Sequence, residues 1–65
     1  MDIRINNRPF SIVDDAKLVD ALDAFGAKPP FAVALNGDFV PRSEHGSRSL
    51  ASGDRIDVVR PVAGG

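Results

Sequence analysis

Only one stretch of this chain carries a helical pattern, and nearly everything around it alternates like strand. In Ala16-Lys17-Leu18-Val19-Asp20-Ala21-Leu22-Asp23-Ala24-Phe25, the residues Leu18, Leu22 and Phe25 fall at i, i+4 and i+7 with Ala21 beside them. That spacing lines up one apolar face about three turns long. Asp14-Asp15 precedes it, and an Asp there is expected to cap the helix and to favour its positive end. Gly26 is the expected C-cap, and Pro29-Pro30 stops any continuation. A fold with a single three-turn helix must bury that apolar face against something else, and the remaining sequence supplies a sheet.

Met1, Ile3 and Ile5 alternate with Asp2, Arg4 and Asn6, the period of a half-buried strand. Asn6-Asn7-Arg8-Pro9 is turn chemistry, and Phe10 and Ile12 resume the alternation, so the chain opens on a hairpin. Pro9 belongs at the start of its strand, where its missing N–H does least harm. After the helix, Phe31-Ala32-Val33-Ala34-Leu35 reads as a strand with large residues on one face and alanines on the other. Asn36-Gly37, the strongest short hairpin signal, leads into a short strand Asp38-Phe39-Val40 that Pro41 stops. Arg42 to Ser52 is polar, with Leu50 as the anchor beneath an irregular or single-turn stretch. Gly53-Asp54 turns into the last strand, Arg55 to Arg60, with Ile56 and Val58 facing inward.

The order is β-β-α-β-β-β, an α+β chain whose one main helix covers a mixed sheet of four to five strands. An opening hairpin, a crossover helix and a final strand placed centrally describe a β-grasp. The same order also fits a split α+β sandwich of another topology. The domain is expected over residues 1–60, with a flexible tail over 61–65, Pro61-Val62-Ala63-Gly64-Gly65, for which packing offers no role.

A chain of 65 residues makes one small domain with a thin core. The stability surplus of such a domain is small, too small to support a strained catalytic cleft or a deep cofactor pocket. The expectation is a carrier or binding module with no bound cofactor and no enzymatic activity of its own. Cysteine is absent, which excludes disulfides and thiolate metal sites. The formal charge is −1 and the eight basic residues are scattered, which argues against nucleic acid as partner. The first residues are charged from Asp2 onward and lack an apolar signal segment, and no apolar run is long enough to cross a bilayer. No membrane association is expected, and the default location is the cytosol.

The diglycine end is the feature that carries chemistry. An ionised carboxylate is a poor electrophile, and its activation requires it to reach the α-phosphate of ATP inside another protein. Gly64 and Gly65 lack Cβ atoms and can thread a narrow channel in any backbone conformation. From Pro61 onward, the extended chain reaches roughly 17 Å, enough to enter a neighbour's active site while the domain docks outside it. Adenylation makes the Gly65 carbonyl attackable, and a sulfur nucleophile then leaves a thiocarboxylate. A carrier of this kind needs no cysteine of its own. Gly65 is therefore the expected reaction site, presented by Gly64, Ala63 and Val62.

These residues resemble the ThiS-type sulfur carriers of thiamine (thiazole) biosynthesis, within the wider ThiS/MoaD ubiquitin-like set. The resemblance spans nearly the whole chain: the opening Met1-Asp2-Ile3, the segment Ala16-Lys17-Leu18-Val19-Asp20-Ala21-Leu22, Val33-Ala34-Leu35-Asn36-Gly37, Val40-Pro41-Arg42, Gly53-Asp54-Arg55-Ile56 and Val62-Ala63-Gly64-Gly65. It implies that a ubiquitin-activating-like (ThiF-like) adenylyltransferase activates Gly65 at the expense of ATP. It further implies a cysteine desulfurase system as the sulfur source and a thiazole synthase (ThiG-like) as the acceptor. Arg60-Pro61-Val62-Ala63-Gly64-Gly65 also resembles the tail of the molybdopterin synthase small subunit, although those carriers are usually longer and lack Val-Pro-Arg. A reading of a different class is a non-covalent ubiquitin-like or TGS-like interaction module that works through its sheet. Such a module should tolerate loss of Gly65; a carrier should not.

Other residues have plainer readings. His45, the only histidine, reads as an exposed loop residue with no second histidine or cysteine to complete a metal site. Asp20 and Asp23 read as the solvated side of the helix, and no metal site is expected. Arg42 fits loop stabilisation and contact with an acidic partner equally well. If the helix covers the large residues of the sheet, Ala32, Ala34 and Val59 remain on the outer face as a shallow apolar patch near the root of the tail. Such a patch is a candidate partner-docking surface.

Overall fold

A computed structural model describes residues 1–60. Strand β1 (Asp2–Ile5) pairs antiparallel with β2 (Arg8–Ser11) across a turn in which Asn6 (φ 51°) and Asn7 (φ 68°) both take left-handed backbone. Asparagine tolerates that region because its short side chain can bond locally. Pro9, the second residue of β2, lies opposite Arg4 on an edge strand. The Arg4 N–H points the other way, to the Asp54 carbonyl at 3.0 Å. At this pair the hydrogen-bonding groups therefore turn away from the partner strand, so the N–H that proline lacks would have faced the open edge.

Helix α1 (Leu18–Phe25) begins later than the expected Asp cap. The N-cap position is Lys17, whose backbone N–H donates to the Asp20 carboxylate at 2.8 Å, one half of a capping box. The amides of Leu18 and Val19 donate to the carbonyls of Arg48 (2.8 Å) and His45 (2.9 Å). A distant loop thus satisfies the helix start, which is why neither Asp14 nor Asp15 is needed there. Asp14 instead pairs with the Met1 ammonium at 3.0 Å. At the other end Gly26 (φ 83°) donates to Asp23 and Ala27 donates to Leu22, the Schellman arrangement expected at a glycine C-cap.

Strand β3 (Ala32–Leu35) and β4 (Asp38–Val40) form the second hairpin, with Asn36 and Gly37 both at positive φ as this tight turn requires. A short 3-10 turn (Arg42–Glu44) follows, and Leu50 is buried beneath the loop. Strand β5 (Arg55–Val59) then inserts between the two hairpins, parallel to β1 and antiparallel to β3. The sheet order is β2-β1-β5-β3-β4, the mixed five-stranded sheet of a β-grasp. Leu18, Ala21 and Leu22 of α1 share one core with Ile3, Ile5, Val33, Leu35, Val40, Leu50 and Ile56.

A second departure from expectation concerns a loop side chain. His45 is buried, with 7% of its surface exposed, and is not the solvent-facing loop residue its polar neighbours suggest. Its Nε2 lies 3.1 Å from the Val40 carbonyl, and its ring stacks on Phe31 at 6.0 Å and 9°. A carbonyl can only accept, so the proton sits on Nε2. A hydrogen bond and an aromatic partner together compensate for its burial.

Candidate functional site

The central strand positions the site. β5 is hydrogen-bonded to β3 along its length, with Ala32 opposite Val59 and Leu35 opposite Ile56. On its other side the ladder to β1 covers only Arg55 and Ile56. Beyond Ile56, β1 has already turned into its hairpin, and Asn6 takes over. The Asn6 backbone N–H donates to the Ile56 carbonyl at 2.9 Å. Its side-chain Oδ1 accepts the Val58 N–H at 2.8 Å, and its Nδ2 donates to the Val58 carbonyl at 3.2 Å. At the start of the same strand, Asn36 Oδ1 accepts the Arg55 N–H at 2.9 Å. Two left-handed asparagines therefore clamp the strand that leads to the chain end. The expected reaction site, Gly65, and its neighbours Gly64, Ala63 and Val62 lie outside the described residues.

Inward and outward residues alternate along β3 and β5, so Ala32, Ala34 and Val59 share the face opposite the helix. Ala32 and Val59 are exposed and directly paired; Ala34 is half-buried. The structure adds a fourth member. Phe39 lies opposite Ala34 across the β3–β4 hairpin and is 70% exposed, against 61% for Val59. The patch therefore extends across three strands. Phe39 was legible in principle, because Val40 facing the core turns its neighbour outward, but only the pairing joins it to Ala34. Asp57 lies opposite Ala34 on the other side, with its carboxylate 3.7 Å from Arg55 Nε, so charge borders the apolar strip.

On the helix side of the sheet, an open cleft lies beside the end of β5. Phe25, Ala27, Phe31 and Val58 form its apolar floor, and Lys28 and Arg60 stand at its margin. Arg42 is exposed in the 3-10 turn and makes no ion pair among the described residues. Asp20 and Asp23 are exposed on α1, as the sequence indicates, and Asp20 serves the helix start. Among the described residues, no three His, Cys, Asp or Glu side chains come together as metal ligands. No helix among them is long and apolar enough to cross a membrane. The described side chains thus assemble an exposed apolar strip on the outer face of the sheet, made by Ala32, Ala34, Phe39 and Val59.

The architecture is shared with solved structures. A crystal structure of the thiamine biosynthesis protein ThiS from Geobacter metallireducens superimposes with a TM-score of 0.83 at 20% identity, covering 100% of both chains. An NMR solution structure of a thiamine biosynthesis protein from Geobacter metallireducens gives a TM-score of 0.78 at 20% identity, covering 100% of this chain and 88% of that one. At that identity the likeness establishes the fold. No curated protein matches the sequence. The ThiS family model, in contrast, matches residues 3–65. A match over almost every residue, on a β-grasp with the same architecture as ThiS, makes this chain a member of the ThiS family.

Proposed function

We propose that this chain is a sulfur carrier of thiamine biosynthesis, acting in the cytosol as a protein co-substrate whose reactive group is the Gly65 carboxylate. The observation that carries the proposal is the family match, which extends from residue 3 to residue 65. A partner adenylyltransferase of the ubiquitin-activating (ThiF-like) type joins the carboxylate to AMP from ATP and releases pyrophosphate. The terminal sulfur of a persulfide supplied by a cysteine desulfurase system attacks the acyl carbon and displaces AMP. A thiol then cleaves the resulting acyl disulfide, becoming a disulfide itself and releasing the C-terminal thiocarboxylate. A thiazole synthase (ThiG-like) then takes the sulfur. ATP is consumed by the partner and is not held by this chain.

The domain's own contribution is to dock and to present. Ala32, Ala34, Val59 and Phe39 form the docking strip on the outer face, and β5 carries the chain from that sheet towards residues 61–65. Gly64 and Gly65 suit a narrow channel because they have no side chain to exclude, and Val62 and Ala63 connect them to the domain. An apolar strip on an otherwise charged sheet face supports protein docking over nucleic-acid binding.

Intact-mass measurement tests the reaction. The full chain is incubated with ATP, the ThiF-like adenylyltransferase of the same organism, a desulfurase with cysteine, and a thiol reductant. The expected product gains the mass of one oxygen-to-sulfur exchange, localised to Gly65 by fragmentation. A product that supports thiazole formation but not molybdopterin synthesis assigns the pathway. An unchanged mass with every component active would remove the carrier reading and leave a non-covalent module.

A further inference from the structure

In the carrier reading, the end of β5 sets the origin from which Gly65 is presented. A central strand normally has its hydrogen-bonding groups met by both neighbours. β5 loses β1 after Ile56, while β3 continues alongside to Val59. Val58 points its N–H and carbonyl towards the side that β1 has vacated, and both are met by one carboxamide. That carboxamide belongs to Asn6, 52 residues away in sequence, at 2.8 Å and 3.2 Å. Asn6 can reach because its backbone is left-handed (φ 51°) and is itself tied to the Ile56 carbonyl. The side chain acts as a one-residue substitute for the missing strand.

We propose that Asn6 is a positioning residue for the carrier reaction: by clamping Val58 it fixes the point at which the chain leaves the sheet, and so the reach of Gly65. This rests on the carrier reading. With the clamp closed, the strand is held on both sides to Val58 and Val59, and residues 60–65 span at most about 20 Å when extended. With the clamp open, β3 alone holds β5 from Asp57 to Val59, and when that one-sided ladder frays back to Asp57 the untethered segment grows by about half. The effective concentration of a tethered end falls roughly as the −3/2 power of tether length, so this predicts about a twofold loss. Loss of a fixed exit direction adds to it. Once Gly65 is seated in the partner's active site, the bond-making step no longer depends on Asn6. The effect therefore belongs in KM and not in kcat.

The test uses the full chain carrying Asn6→Gly, which keeps the left-handed backbone and deletes the carboxamide, and Asn6→Asp, which keeps the acceptor and deletes the donor. Amide exchange by NMR reads the clamp, urea unfolding reads the fold, and steady-state adenylation by the ThiF-like enzyme of the same organism reads the chemistry. In Asn6→Gly, exchange at the Val58 amide should quicken about fivefold, the value of one lost hydrogen bond of ordinary strength. KM for the carrier should rise twofold or more with kcat unchanged, and Asn6→Asp should fall between glycine and wild type. Unchanged exchange at Val58 would show that the clamp does not hold the strand. Faster exchange with unaltered KM, or a fall in kcat instead, would overturn the positioning role. A wild-type chain that is never adenylated would overturn the carrier reading and, with it, the role given to Asn6.

Discussion

Replacing His45 isolates what its burial contributes. The imidazole donates from Nε2 to the Val40 carbonyl at 3.1 Å and stacks on Phe31 at 6.0 Å. Its own backbone carbonyl accepts from Val19 at the start of α1, so the residue links β4, the loop and the helix. His45→Ala removes both side-chain interactions. The hydrogen bond is worth about 0.5–1.5 kcal/mol net, and a carbonyl left without its partner raises that cost. The stacked pair adds about 0.5–1.5 kcal/mol. A loss of about 2–3 kcal/mol follows, which in a domain of this size lowers Tm by roughly 10–20 °C. His45→Phe keeps a ring against Phe31 and removes only the donor, so its loss should be nearer about 1 kcal/mol. The chain has neither Trp nor Tyr, so urea unfolding is best followed by far-UV circular dichroism. An alanine variant within about 0.5 kcal/mol of wild type, the range of ordinary surface changes, would refute the claim that this ring ties the loop to the sheet.

Three further outcomes are expected. Val59→Asp, at a site 61% exposed, should weaken binding to the activating enzyme by tenfold or more in a titration while leaving the urea midpoint unchanged; unaltered affinity would take the outer strip out of the docking surface. Gly26→Ala should cost about 1–2 kcal/mol in the same unfolding assay. Its origin is backbone strain alone, because φ is +83° and no atom lies within 4 Å of the added Cβ, so a neutral result would dispute the left-handed cap. Removing Gly65, or adding one residue after it, should abolish the ATP-dependent gain of sulfur in intact-mass measurements and leave the unfolding curve as it was. Retained sulfur transfer would exclude Gly65 as the reaction site.

The features that follow from residue order alone are local. The spacing of Leu18, Ala21 and Leu22, the stop at Gly26 and the Asn36-Gly37 turn each follow from a few adjacent residues, because helical and hairpin preferences are set by backbone sterics over that range. The alternation in β3 likewise turned Ala32 and Ala34 outward before any partner strand was known. The three-dimensional fold supplied everything that joins distant segments. It placed β5 between the hairpins, brought Phe39 beside Ala34, drew His45 under Phe31 and set the Asn6 carboxamide against Val58. It also moved the helix cap from the aspartates to Lys17, because carbonyls from the loop at His45 and Arg48 reach the first helical amides. Burial and pairing depend on which side chains meet across the fold, and a polar loop residue looks the same in sequence whether its ring meets solvent or a backbone carbonyl.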